Sequence, residues 1–195
     1  MKSVSRAVAV VILGASAILA LAGCVNGTPT KPTGTPTTPA SSASPSPTPT
    51  STPSATPVTF PCTTVLTAQQ VYDYNPNYVA KDSYKPGAGS DAASVVAASG
   101  IACGWVDETS GSILSVAIAQ PAAVTLQLTQ QLAAAGNSPI SLTGSAVGYF
   151  SSANGVGELQ VFTHTYWIVI SSSDFSAASD VSPTAKLVLG NLPSP

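Results

Sequence analysis

Nine prolines fall within the 36 residues from Val25 to Phe60, set among Thr, Ser and Ala. Such a stretch cannot bury enough apolar surface to offset the entropy of ordering its backbone. It therefore confines any packed core to the residues that follow. Proline at every second or third position favours polyproline II, and at ~3.1 Å per residue full extension would reach roughly 110 Å. We read residues 24–60 as a disordered tether and 61–195 as one folded domain, a length that can bury a single core. Dense Ser/Thr with Pro suits either an O-glycosylated stalk or a bare spacer.

Charge narrows the partners. Beyond residue 23 the chain holds four lysines, eight acids and no arginine, a net charge of about −4. Nucleic-acid binding needs a basic face to displace counterions from phosphates, and this composition supplies none.

The N-terminus reads as a targeting segment. Lys2 and Arg6 precede an apolar run from Val8 to Leu21, 14 residues that are too few for an ordinary membrane span. The run ends in Leu21-Ala22-Gly23-Cys24. This tetrapeptide resembles the lipobox of bacterial lipoproteins. The resemblance implies a signal peptide over 1–23, cleavage after Gly23 and lipid on the Cys24 thiol. The membrane would then be one partner, through that lipid, and the domain would stand at the outer face of the cytoplasmic membrane. Two or three acyl chains together suffice for stable anchoring.

With Cys24 assigned to lipid, Cys62 and Cys103 remain. An even pair in an exported domain is most simply a disulfide, closing a 42-residue loop worth about 4 kcal/mol in the chain-entropy model. A metal site would need partners beyond the single His164, and a redox centre would usually show Cys-x-x-Cys. We expect no cofactor and no metal.

Local signals predict the elements. Thr67-Ala68-Gln69-Gln70 has the form of a capping box and opens a helix running to about Tyr74. Residues 75–100, with Pro76, Pro86, Gly87 and Gly89, read mostly as loop. Strands are expected over 101–106 and 112–119, the second alternating cleanly at Leu114, Val116 and Ile118. Gln120-Pro121 opens a helix with an apolar stripe at Val124, Leu128 and Leu132, ended by Gly136-Asn137. A meander follows over 145–150, 158–162 and 166–171, with Asn154-Gly155 as the strongest hairpin signal. A short helix over 183–192 closes the chain, with Leu187 and Leu189 as docking residues. The expected fold is α+β: one antiparallel sheet of about five strands, two or three short helices on one face, and one disulfide.

Pro61-Cys62, Leu66-Thr67, Cys103-Gly104-Trp105 and the small-residue run Gly144–Gly148 together resemble a group of actinobacterial lipoproteins whose extracellular domain carries a Cys…Cys-x-Trp pattern. The resemblance implies a disulfide-stapled α+β domain and carries no activity with it.

Candidate site residues are few. Trp105 shares a strand face with Cys103 and is expected to pack beside the disulfide. Tyr72, Tyr74, Tyr78 and Tyr84, four of the six tyrosines, lie within thirteen residues among Asp, Asn and Lys. Two readings fit them. The rings anchor a long loop on the sheet, which we favour, or they form a surface for glycan or peptide recognition. His164 has no second histidine or activated cysteine, so a nucleophile–base arrangement lacks parts. Glu158 and Asp174 would form an acid pair only if the fold happened to join them. No phosphate-binding loop and no Gly-x-Ser-x-Gly elbow occurs. The leading expectation is a non-enzymatic binding module of the cell envelope, with a wall glycan or an envelope protein as partner. An envelope enzyme such as a wall hydrolase comes second, and a passive coat lipoprotein third.

Overall fold

The structure, a computed structural model, describes residues 54–193. The expected signal peptide over 1–23, Cys24 and most of the expected tether lie outside the described residues. The chain joins the domain at Thr56, earlier than the Pro61 boundary read from composition. There the Thr56 N–H donates to the Gln120 carbonyl at 2.9 Å, the Val58 N–H donates to Ser99 at 3.0 Å, and Val58 is buried.

Seven antiparallel strands form one sheet: β1 (Tyr78–Ala80), β2 (Ile101–Asp107), β3 (Ile113–Ala119), β4 (Pro139–Ser141), β5 (Val147–Ala153), β6 (Val156–Phe162) and β7 (Trp167–Ser172). Their spatial order is β1-β2-β3-β7-β6-β5-β4. Two meanders thus meet at the β3–β7 pair. The helices are α1 (Cys62–Val65), α2 (Ala68–Tyr74), α3 (Asp91–Ala97), α4 (Ala123–Ala134) and α5 (Ala178–Asn191). Two strands exceed the expected five because β1 and β4 have three residues each, too short for a period to register. β1 and α3 both fall in the segment read as loop.

Local chemistry accounts for several boundaries. The Thr67 Oγ1 accepts from the Gln70 N–H at 3.2 Å, and the Thr67 N–H donates to Gln70 Oε1 at 2.9 Å, which completes the capping box of α2. Asn154 and Gly155 have φ of 54° and 78°, the paired left-handed geometry of a type I′ turn, and they join β5 to β6. Asp107 closes the β2–β3 hairpin by accepting from the Thr109 and Ser110 N–H groups at 2.7 and 3.1 Å. Together with the Thr109 hydroxyl, the largest influence, these bonds hold its carboxyl below the ordinary range.

Both sheet faces are covered, whereas the sequence suggested helices on one. On the first face, Leu114, Val116 and Ile118 of β3 and Ile168 and Ile170 of β7 meet α1, α2 and α5 through Val65, Val71, Val181, Ala185 and Val188. On the second, Ala117, Ala119, Phe162, Trp167 and Val169 meet α3 and α4 through Ala92, Val95, Leu126 and Ala133. The expected stripe of α4 is turned outward: Val124, Leu128 and Leu132 are 73%, 56% and 69% exposed, and Leu126 is 7%. The closing helix starts five residues before Pro183, because the Asp180 carboxylate accepts from the Ser176 and Ala177 N–H groups, each at 2.9 Å. Its docking residues are Val181, Thr184, Ala185 and Val188; Leu187 is exposed and Leu189 only partly buried.

Cys62 and Cys103 are bonded, with Cα atoms 5.5 Å apart. Trp105 lies on the same strand face as Cys103, buried in the same cluster.

Candidate functional site

The four tyrosines do not share one surface. Tyr72 and Tyr74 are exposed on α2, and the Tyr74 ring lies 5.8 Å from that of Tyr78. Tyr78 is buried on the first face. Its hydroxyl donates to Asp174 Oδ2 at 2.5 Å and lies 3.1 Å from Ser112 Oγ. Burial, then the bond to Asp174, pushes its phenol up to about 12. Asp174 is thereby committed to Tyr78 and Ser112 and forms no pair with Glu158. Between Ala80 and Tyr84 the chain rounds the sheet edge, so Tyr84 packs on the second face. A Cβ at Gly104 would stand 2.5 Å from its ring Cγ, so only glycine lets the ring lie against the strand. The edge itself carries a hollow of about 400 Å³ between Phe60, Lys81, Asp82, Tyr84 and Ile101.

From Tyr84 a row of small polar positions crosses the second face. The register aligns Gly104 with Ser115, Ser115 with Ser171, Ser171 with Glu158, and Glu158 with Ser151. Strand alternation puts all of these on the face of Ala117 and Val169. Two hollows of about 310 and 410 Å³ lie along the row, and Val156 lines both. Tyr84 bounds the first; Gly89, Ser90 and Asp91 bound the second. The result is a trough with serines in its floor and the start of α3 in its wall.

At the Glu158 end the polar contacts are dense. Gln160 Nε2 donates to Asp91 Oδ2 at 2.6 Å and to Glu158 Oε1 at 3.3 Å, and Gln160 Oε1 accepts from the Trp167 indole at 3.2 Å. Burial, then the neighbouring Asp91 carboxylate, raises Glu158 to about 8. Near neutrality Glu158 therefore stays largely protonated, an uncharged carboxyl that can donate as well as accept. Ser115, buried toward the other end, has an Oγ with no hydrogen-bond partner among the described residues. His164 is exposed at the β6–β7 turn, at the opposite end of that hairpin from Glu158.

Asp91, Gln160, Ser115 and Ser171 carry no motif, and sequence reasoning missed them. The one available signal was alternation: in SILSVAIA, Ser115 is the polar member of the set opposite Leu114, Val116 and Ile118. Comparison of the chain with protein-family models, curated proteins and solved structures finds no match.

Proposed function

We propose that this protein is a lipid-anchored binding module of the cell envelope, held at the outer face of the cytoplasmic membrane through Cys24. The tether carries the domain outward, and the second-face trough holds the ligand. The trough carries this reading: it is open, spans several strands, and is floored by side chains that give and accept hydrogen bonds.

The wall-hydrolase alternative draws on the Asp91–Glu158 pair, because a protonated acid beside a carboxylate is the equipment of a glycosidase. The separation counts against it. Glycosidase carboxyls stand roughly 5–9.5 Å apart to admit a sugar carbon or a water. Here the gap is filled, because Gln160 Nε2 bonds Asp91 Oδ2 at 2.6 Å and Glu158 Oε1 at 3.3 Å.

Two measurements test the reading. Cys24→Ala should accumulate as unprocessed precursor or appear in the medium; normal-size protein that still partitions with detergent refutes the anchor. Detergent-solubilised full chain should sediment with lipid-stripped cell walls, and Ser171→Trp, which fills the trough, should not. Equal sedimentation of both refutes the trough as the binding site.

A further inference from the structure

We propose that the trough takes a neutral oligosaccharide, laid across the strands from Tyr84 to the Asp91–Glu158 pair. The inference rests on the binding-module reading and names its ligand class.

The dimensions call for a chain. The row from Gly104 to Ser151 passes through β2, β3, β7, β6 and β5. Four gaps of ~4.8 Å give a track of roughly 19 Å. That is the scale of several linked sugar rings.

The chemistry calls for hydroxyls. Ser115, Ser171 and Ser151 each offer a donor and two acceptor lone pairs in little volume, and so match a ligand whose groups are both donors and acceptors. The Ser115 Oγ is buried and without a partner. A polar group in that position costs stability until something bonds it. Ser115 is one of the residues that line the hollow between Tyr84 and Ser171, and a χ1 rotation that turned its Oγ into the hollow would let a ligand hydroxyl complete it. At the far end, the Glu158 carboxyl, raised to about 8, donates and accepts, and Gln160 Nε2 bonds both Asp91 and Glu158 and holds them in place.

The ends call for a sugar. Tyr84, seated on Gly104, offers a ring at one end, and a flat aromatic surface suits the C–H face of a pyranose. Neither hollow has a Lys or Arg among its described lining residues, so an anionic ligand finds no counter-charge.

The test is a titration of the ¹⁵N-labelled full chain in detergent with four probes. These are tetra-N-acetylglucosamine, mannotetraose, anionic tetragalacturonate and a Gly/Ser decapeptide. Either neutral tetrasaccharide should move the amides of Ser115, Ser171 and Glu158 saturably. Tyr84→Ala should weaken that binding about tenfold or more, and Tyr84→Phe, which keeps the ring, should restore it. The amide spectrum of each variant shows that it has folded, and Ser171→Ala gives a second, milder lesion in the floor. If the decapeptide or tetragalacturonate moves these amides and neither neutral saccharide does, the glycan assignment is wrong and the binding-module reading stands. If no probe moves them and wall sedimentation is also indifferent to Ser171→Trp, both are wrong.

Discussion

Replacing Glu158 by Gln should flatten the pH dependence of stability between about pH 5 and pH 8. In the folded protein the Glu158 carboxyl is raised from 4.5 to about 8, first by burial and then by Asp91. In the unfolded chain it returns to its ordinary value. Between those values the folded state holds more protons than the unfolded one, so stability falls as pH rises and levels off above about 8. At about 1.4 kcal/mol per pH unit, the ceiling of the penalty is roughly 5 kcal/mol. The trough is open and solvent screens the pair, so a loss of about 1–3 kcal/mol is expected. Gln keeps the shape of a protonated Glu and cannot ionise. The variant should match the wild type near pH 5 and exceed it by that amount at pH 8.5. Urea denaturation of both proteins across this range, with midpoints and slopes fitted at each pH, gives the difference directly. Curves that stay parallel from pH 5 to 8.5 would falsify the raised Glu158 carboxyl. A variant less stable at pH 8.5 than the wild type would show that the ionised carboxylate makes contacts the structure lacks.

Three further predictions concern packing. Leu126→Ala should cost about 2–3 kcal/mol by opening a cavity under α4, and Leu128→Ser about 0.5 kcal/mol or less; the reverse order would mean that α4 turns its other face to the sheet. Gly157→Ala should cost about 1–3 kcal/mol, because its Cβ would meet the Phe175 backbone carbonyl, whereas Gly190→Ala, with open space around it, should be neutral or stabilise by up to about 1 kcal/mol; thermal melts showing equal effects would refute the close approach. Replacing Cys62 and Cys103 together by Ala should cost about 2–4 kcal/mol from the loop the bond closes, and a reduced wild type should unfold at the same urea concentration as this variant; two alkylatable thiols in the native, unreduced protein would remove the staple altogether.

Much of this molecule was legible residue by residue, where a few neighbours decide the outcome. The capping box at Thr67, the turn at Asn154-Gly155, the alternation of Leu114, Val116 and Ile118 and the pairing of Cys62 with Cys103 are set within short windows or by counting. β1 and β4 were not, since three residues in a strand owe their state to the neighbour that pairs with them. Nor was the orientation of α4. Its apolar residues sit on two sides, at Val124, Leu128 and Leu132 and again at Leu126 and Ala133, and helical period alone favours the larger stripe. The sheet beneath presents Phe162 and Trp167, stacked with centroids 6.5 Å apart, with Tyr149 against them. Rings of that size leave room for one Leu and a methyl group, so packing selects the smaller side. The trough lies furthest from anything local. Asp91 and Glu158 are distant in sequence, and they come together through Gln160 of β6, whose amide bonds Asp91 at the start of α3 as well as Glu158. Ser115, Ser171 and Glu158 share a row only because β7 pairs with both β3 and β6. Register between strands from two separate meanders is a property of the assembled sheet, and no window of sequence contains it.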